Sequence, residues 1–301
     1  MAALTPTWGR FVRFVAEDGK RELCGEPVDA DIDVGLALAA KEKVSVKVLK
    51  ASSALDSGAQ FTGEVTTISK LLPPLSAQDI GTIRCVGLNF KDHAAELGCA
   101  LPEVPTIFTK PSTALSSALD PIVLPRSAPK AVDSEVELAV VIGRDCKDVS
   151  PTEAMDYVLG YTIANDLTAR DLQSQTSQWG YCKGFDGFCP LGPVIASQKA
   201  VGNVRALKMK TELDGQILQD SSADQMIFSV GEMVSHLSRD STLPKGTVIL
   251  TGTPSGIGHS YSPPRYLKAG SNLRVSITPK LGTLVNPVVS ASQQHASHLK
   301  E

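Results

Sequence analysis

One segment constrains the fold more than any other: VELAVVIG at 136–143, which is dense in β-branched residues. Such a segment, ended by Gly143, predicts a β-strand. The turn signal Asp18-Gly19 predicts a hairpin near the N-terminus, and YTIAND at 161–166 and GTVILTG at 246–252 predict further strands. Because few strand–helix–strand units follow one another, the sequence favours a β-rich α+β fold with peripheral helices over a doubly wound parallel sheet.

Three short helices are predicted. Ser150 begins a capping-box sequence that predicts a helix running to Gly160, and Ser229 begins a second one that leads toward His236. The segment KDHAAELG (91–98) is helix-prone, and its final glycine is a natural stop.

Composition excludes several classes of function. The 29 Lys and Arg nearly balance the 32 Asp and Glu, for a net charge of −3, and no basic block is present. Binding to nucleic acid is therefore not expected. No apolar run approaches the roughly 20 residues that span a bilayer, so no membrane partner is expected either. The six cysteines form no C-x-x-C pair, which favours reduced thiols and a cytoplasmic location, with mitochondria left open.

A proline-rich joint, LLPPLS at 71–76, suggests a division of the chain. We expect a small N-terminal α/β module over 1–75, a catalytic domain over 76–289 and a polar tail over 290–301.

Three carboxylates are the strongest chemical signal. Glu135 and Glu137 are two apart at the head of the 136–143 strand, and the strand period of two places both on one face. Asp166 ends the YTIAND strand, where a carboxylate can point into a cleft. A solvated strand start and a turn residue are the simpler alternatives. If the three converge, the absence of paired His or Cys selects a hard cation, Mg²⁺ first and then Mn²⁺ or Ca²⁺.

A histidine with a carboxylate partner is the second signal. His93 and Glu96 are three apart, so a helix would place both on one face, where the carboxylate can orient the imidazole. That pair can act as a general base, although an H-x-x-E pair in a polar helix is also a common surface feature. The other histidines have no comparable partner in the sequence.

Several polar residues follow these signals. Arg170 and Gln173 lie four and seven residues after Asp166, and Lys183 lies in a Gly- and aromatic-rich segment that predicts a loop. Cations near a metal site would hold an anionic substrate, whereas each residue singly could be a surface ion-pair partner. TGTPSGIG at 251–258 lacks the G-K-[S/T] of a phosphate loop, so nucleotide binding is not predicted.

Taken in order, the motifs of the chain resemble those of a known family. They are VGLNFKDHAAELG, PTIFTKPST, VDSEVELAVVIG, GYTIANDLTARDLQ, CKGFDGFCPLGP, QMIF, VILTGTPSGIG and PPRYLKAG. Over about 80–289 the chain resembles the fumarylacetoacetate hydrolase superfamily, and most of all the type-2 branch of the fumarylacetoacetate hydrolase domain-containing proteins.

The resemblance implies a mixed β-roll core, a homodimer and one divalent ion per subunit. It also implies roles for particular residues: Glu135, Glu137 and Asp166 as metal ligands, His93 and Glu96 as a catalytic pair on a lid, Lys183 beside the metal, and Arg170, Gln173 and Thr253 at the oxo-acid end of the substrate. The superfamily's lead enzyme uses a fourth carboxylate ligand, for which this sequence shows no counterpart. In this respect the chain resembles a three-ligand branch of the superfamily.

Such a site would act on a 2-oxo acid bound through its carboxylate and keto oxygens, with the metal stabilising an enolate. Hydrolysis of the C–C bond of an acylpyruvate is the leading prediction, followed by decarboxylation of oxaloacetate. Keto–enol tautomerisation of oxaloacetate is the alternative, since the same motifs serve all three reactions. A non-catalytic scaffold is disfavoured because His93, Lys183 and the three carboxylates are intact. The sequence specifies neither the acyl group nor the physiological metal.

Overall fold

The structure, a computed structural model, describes residues 4–292 and contains many strands and few, short helices. The strands are β1 (Arg10–Ala16), β2 (Glu22–Pro27), β3 (Ser45–Lys50), β4 (Gln60–Leu72), β5 (Ile83–Gly87), β6 (Thr106–Lys110), β7 (Leu115–Ser117), β8 (Ile122–Leu124), β9 (Val132–Asp133), β10 (Val136–Ile142), β11 (Val158–Asn165), β12 (Thr168–Ala169), β13 (Cys189–Ser197), β14 (Lys208–Leu213), β15 (Gln216–Ser222), β16 (Val248–Leu250), β17 (Asn272–Thr278) and β18 (Gly282–Ser290). The helices are α1 (Val34–Ala39), α2 (Ala77–Ile80), α3 (Lys91–Glu96), α4 (Pro151–Ala154), α5 (Arg170–Gln173), α6 (Gln198–Val201) and α7 (Val230–Ser238). The predicted β-rich fold class is confirmed.

Within the described residues the strands form three sheets. The large sheet has the order β2-β3-β4-β1-β13-β11-β10-β16-β5-β6, and β7 pairs with β13. A five-stranded sheet has the order β15-β14-β17-β18-β8, and β9 pairs with β12. Most neighbours are antiparallel, but β16 is parallel to β5 and β18 to β8, so both larger sheets are mixed.

Strand β10 lies inside the large sheet with a core on each face, and all seven of its residues are buried. Val136, Leu138 and Val140 belong to one buried cluster, whereas Ala139 and Val141 belong to another. Burial on both faces explains why its sequence is almost continuously apolar rather than alternating. Glu137 is the one charged residue in this apolar strand. Burying a carboxylate is costly unless it has a partner, so its position indicates a specific role.

The five-stranded sheet packs against the large sheet. Val275 and Leu284 from the former share one buried cluster with Leu138 and Ile163 from the latter. Strands β1–β4 extend the large sheet, because Phe11 in β1 pairs with Ile195 in β13. The division of the chain at 75/76 and 289/290 stays a prediction, and the proposed tail lies almost wholly outside the described residues.

Most local predictions are confirmed, including the β1–β2 hairpin, α3, and the capping box in which Ser229 opens α7. The helix predicted from Ser150 to Gly160 is wrong in its length. Its capping box is present, but α4 ends at Ala154 and β11 already begins at Val158. Gly160 is a strand residue whose missing side chain lets β11 approach β13, since a Cβ there would lie 2.3 Å from Ala196 O.

The six cysteines are free in the structure, and all but Cys99 are buried. Among residues 4–292, no helix is both long and apolar enough to cross a membrane.

Candidate active site

The three predicted carboxylates come together at the ends of two paired strands. Val136 in β10 pairs with Asn165 in β11, so Glu135 and Asp166 are the next residues out on each strand. The N–H of Asp166 donates to Glu135 O at 2.9 Å. Glu137 shares the strand face of Glu135, and one oxygen from each carboxylate lies within 4.8 Å of the others. All three side chains are buried.

Glu137 differs from its neighbours in having no cationic partner among the described residues. It accepts one hydrogen bond, from the N–H of Gly252 at 2.7 Å. Burial, together with the nearby charges of Asp166 and Glu135, raises the pKa of Glu137 well above its usual value. A buried carboxylate held in this way fits a divalent cation, which would remove the repulsion among the three and take oxygen ligands from each.

Lys183 reaches the carboxylates from a loop, as the sequence predicts for its segment. Its Nζ lies 2.9 Å from Glu135 Oε2, 2.6 Å from Asp166 Oδ2 and 2.7 Å from Thr168 Oγ1. Burial alone would lower the pKa of Lys183, but the charges of Asp166 and Glu135 raise it above its usual value. The raised pKa favours the charged, hydrogen-bond-donating form of Lys183.

A second buried lysine escapes the sequence analysis. Lys110 ends β6 with no exposed surface, and its Nζ lies 2.5 Å from Asp166 Oδ1 and 3.3 Å from Leu167 O. Asp166 thus has one lysine on each carboxylate oxygen. The sequence does contain an indication of this contact, since Lys110 lies within the largely apolar segment PTIFTKPS. A lysine buried in such a segment requires a partner, because lysine is almost never fully buried without one.

Arg170 is tied to acidic residues. It donates from Nε to Asp133 Oδ2 at 3.0 Å, from Nη2 to Glu135 Oε1 at 2.5 Å and from Nη1 to Gln173 Oε1 at 2.9 Å. Asp133 also accepts hydrogen bonds from the N–H groups of Gly258 and His259 at 2.9 and 3.0 Å. Asp133, which the sequence analysis missed, therefore joins Arg170 to the 251–260 loop. The predicted role of Arg170 and Gln173 in holding substrate stays a prediction.

Replacing Arg170 with alanine is expected to destabilise the fold by about 3–5 kcal/mol, because it leaves the buried Asp133 without its cation. Gln173→Ala is the matched control: it removes the neighbouring contact but keeps the ion pairs, and it should cost less than about 1 kcal/mol. Urea unfolding of the full chain measures both values. An unfolding free energy unchanged by Arg170→Ala would contradict the structural role of this ion pair.

The predicted histidine pair is formed on α3. His93 Nδ1 lies 2.8 Å from Glu96 Oε2, and Glu96 Oε1 accepts from the N–H of Gly256 at 2.8 Å. Burial raises the pKa of Glu96, but the hydrogen bonds from His93 and Gly256 outweigh it and leave that pKa below its usual value. An ionised Glu96 favours the neutral imidazole tautomer that carries its proton on Nδ1, and in that tautomer Nε2 is the proton acceptor.

Asp92 also holds helix α3 in position, through hydrogen bonds from two serines. Asp92 Oδ2 accepts from Ser221 Oγ at 2.6 Å and from Ser255 Oγ at 3.2 Å. Together with the Glu96–Gly256 bond, these contacts hold α3 against the 251–260 loop, whose Gly252 N–H reaches Glu137.

Thr253 lies on the same loop and is held by a buried glutamine. Gln219 Nε2 donates to Thr253 Oγ1 and to Pro254 O, both at 2.8 Å, while its oxygen accepts from the N–H of Val136 at 3.0 Å. Because Thr253 Oγ1 accepts from Gln219, its own O–H remains a donor. Gln219 lies in strand β15, and nothing in the sequence around it indicates that it holds Thr253.

Eight of the nine predicted site residues line one cavity of about 370 Å³. Its lining includes the predicted residues His93, Glu135, Glu137, Asp166, Arg170, Gln173, Lys183 and Thr253. Glu96, the ninth predicted residue, does not line the cavity but contacts His93, which does. His259, which has no partner in the local sequence, also lines the cavity, with its Nδ1 2.7 Å from Tyr266 Oη. The structure therefore brings the predicted site residues together, whereas their individual roles are proposals.

Residues 82–289 match the family model described as fumarylacetoacetate (FAA) hydrolase, C-terminal. The chain belongs to the fumarylacetoacetate hydrolase family. The resemblance seen in the sequence motifs is thereby confirmed.

Relatives within the fumarylacetoacetate hydrolase family carry different names. The chain is 41% identical over 293 residues to a caffeoylpyruvate hydrolase of Neonothopanus nambi, covering 96% of each chain. It is 40% identical over 219 residues to the mitochondrial oxaloacetate tautomerase Fahd2a of Rattus norvegicus, covering 72% of this chain and 69% of that one. A crystal structure of 2-hydroxyhepta-2,4-diene-1,7-dioate isomerase from Mycobacterium marinum superposes with a TM-score of 0.77 at 35% identity, covering 94% of this chain and 98% of that one.

Proposed function

We propose that this chain is a divalent-metal-dependent enzyme that hydrolyses the C–C bond of acylpyruvates, R–CO–CH₂–CO–COO⁻. One observation carries the proposal: a histidine oriented by an ionised carboxylate lines the same cavity as a buried triad of carboxylates. The first provides a base for water, and the second provides ligands for a hard cation. The 41% identity to caffeoylpyruvate hydrolase over 96% of both chains supports hydrolysis.

Glu135, Glu137 and Asp166 would hold Mg²⁺ or Mn²⁺, and the bound cation would supply Lewis-acid polarisation of the 2-oxo acid end of the substrate. Lys183 donates hydrogen bonds to Glu135 and Asp166, and Lys110 donates one to Asp166, which would fix these two carboxylates in place. Thr253, whose O–H remains a donor, together with Arg170 and Gln173, would contact the carboxylate and oxo groups of the substrate.

In this reaction His93 acts as the general base. Its Nε2 takes a proton from water while the water oxygen bonds to the acyl carbon. The bond between that carbon and the CH₂ group then breaks, and its electron pair goes to the CH₂ carbon. The pyruvyl fragment takes back the proton from His93, which gives R–COO⁻, pyruvate and one released proton. Glu96 stabilises the imidazolium that exists between these two transfers.

Oxaloacetate tautomerisation is the second candidate, supported by the 40% identity to the rat enzyme. The same His93 would move a proton between oxygen and carbon with water excluded. Decarboxylation of oxaloacetate would use the same site without water.

One assay separates these reactions. The full chain is incubated with Mg²⁺ and either acetylpyruvate or oxaloacetate, while enol absorbance, acetate, pyruvate and CO₂ are followed. Acetate and pyruvate in equal amounts are expected from acetylpyruvate. Loss of oxaloacetate enol without product would mark a tautomerase, CO₂ release would mark a decarboxylase, and either result without acetylpyruvate cleavage would contradict the proposal.

We further propose a homodimer and a cytoplasmic location. Three exposed apolar side chains lie close together in the sequence, at Leu97, Leu101 and Val104, and contiguous apolar surface commonly marks an interface. The unpaired cysteines suit a reducing compartment. Light scattering on the purified chain should give twice the mass of one subunit.

A further inference from the structure

Two aromatic rings lead away from the carboxylate triad along the cavity. Phe108 and Trp179 both line it, with their centroids 5.4 Å apart and their planes at 73°. The Nζ of Lys183, which contacts Glu135 and Asp166, lies 5.1 Å from the centroid of Phe108. The rings therefore begin at the metal-site lysine and form a continuous wall, which we call the aromatic wall.

The aromatic wall is held in place by its neighbours. The backbone N–H of Lys183 donates to Trp179 O at 3.1 Å, so the lysine and the indole belong to one turn. Trp179 packs closely on Gly87, where a Cβ would come within 2.5 Å of the indole ring. Space for the indole thus depends on glycine at 87. Trp179 and Phe108 are both half-buried, so each ring keeps a surface that a ligand can cover.

Further apolar residues line the same cavity. Val86, Leu88, Leu97 and Ile257 contribute side chains to it. Leu88 has φ of 50°, in the left-handed region where bulky residues are rare, and such conformations concentrate at ligand sites.

The lysine and the arginine of the cavity lining both lie at the carboxylate triad. Among the described lining residues, Lys183 and Arg170 are the only lysine and arginine, and both are bonded to carboxylates. A carboxylate on the far end of a substrate would find no lysine or arginine partner beyond them, whereas an aromatic ring would find matching surfaces.

We propose that the aromatic wall is the acyl subsite and that the enzyme prefers acylpyruvates whose acyl group is an uncharged aromatic ring. The proposal rests on the proposed function for the identity of the reaction. Trp179 and Phe108 set the specificity, and the triad, Lys183 and His93 act on the end of the substrate common to all acylpyruvates.

The test compares benzoylpyruvate with acetylpyruvate. We expect wild type to show the higher kcat/KM for benzoylpyruvate. Trp179→Ala should lower that value by roughly tenfold or more while changing the value for acetylpyruvate far less. Trp179→Phe, which keeps a ring, should retain most of the preference. Tyr181→Ala is the matched control, because Tyr181 is an exposed aromatic two residues away that packs on Phe185 outside the cavity lining. A preference for acetylpyruvate, or a ratio unaffected by Trp179→Ala, would overturn the inference.

A binding measurement separates this inference from the proposed function. Dissociation constants for both compounds are measured with Mg²⁺ by calorimetry on His93→Ala and on the double variant His93→Ala/Trp179→Ala, because loss of the base slows cleavage during the titration. If wild type cleaves neither compound, acylpyruvate hydrolysis is wrong, but tighter binding of benzoylpyruvate to His93→Ala that is lost in the double variant still supports the subsite. Equal affinities of His93→Ala for the two compounds would contradict the subsite even if wild type cleaves both.

Discussion

Glu137→Gln is expected to remove metal-dependent turnover, with a loss of roughly 10²–10⁴-fold, because Lewis-acid polarisation contributes several kcal/mol. The amide is nearly the same shape as the carboxylate and can still accept the hydrogen bond from the N–H of Gly252. The fold should therefore survive. The change takes away the one triad carboxylate that has no cationic partner among the described residues, so its effect should fall on the metal rather than on an ion pair.

The stability of Glu137→Gln, measured by thermal unfolding, tests metal binding independently of activity. In chelator, the variant should be as stable as wild type or more so, because burial and like charges disfavour an ionised group at this position. In wild type, a cation at 100 times its Kd should add about 2.7 kcal/mol of stability, and the variant should lose that gain. Glu153→Gln, in the exposed capping box of α4, is the control and should keep the full metal-induced shift. A normal shift in Glu137→Gln would remove Glu137 from the ligand set.

His93→Ala should lower kcat for acylpyruvate cleavage by roughly 10²–10⁴-fold, the usual contribution of a general base, while KM changes little. The reason is the orientation of the imidazole: Glu96 holds Nδ1, and Nε2 is free to take a proton from water. Glu96→Gln keeps the imidazole but removes the ionised partner, so its loss should be smaller.

The control for His93→Ala is His236→Ala on α7, a helix whose histidine does not line the cavity, and its kcat should remain near that of wild type. Steady-state kinetics with Mg²⁺ in excess measures both variants. A pure rise in KM for His93→Ala would assign the residue to substrate binding and would contradict its role as the base.

Local rules account for the parts of the site that the sequence analysis identified. The strand period places Glu135 and Glu137 on one face, and the helix period brings His93 and Glu96 to 2.8 Å. Asp166 was recognised as a strand-end carboxylate. That it lies opposite Glu135 depends on the pairing of Val136 with Asn165, a register that the spacing in the sequence does not contain.

The residues missed by the sequence analysis act through distant partners. Lys110 contacts a residue 56 positions away, and Asp133 meets Arg170 across 37 positions. Gln219 reaches Val136 across 83 positions. Contacts of this kind follow from how sheets pack rather than from local pattern. A lysine in an otherwise apolar strand, such as Lys110, indicates a buried charge with an oppositely charged partner elsewhere in the fold.

The same limit explains the error at Gly160. A glycine after a capped helix usually marks its end, but here the glycine is required by close contact between two strands far apart in sequence. Helix starts were predicted correctly at Ser150 and Ser229 because their capping contacts are local. The end of α4 is set by β11 pairing with β10 from Val158 onward.

Titration of the metal-stripped full chain with Mn²⁺ tests the metal site most directly. Bound Mn²⁺, measured by equilibrium dialysis, and acylpyruvate cleavage are followed on the same samples. The carboxylate triad predicts saturation at one ion per chain, with activity absent in the stripped protein and rising in proportion to occupancy. Full activity in stripped protein, or Mn²⁺ binding that Glu135→Gln and Glu137→Gln leave unchanged, would contradict it.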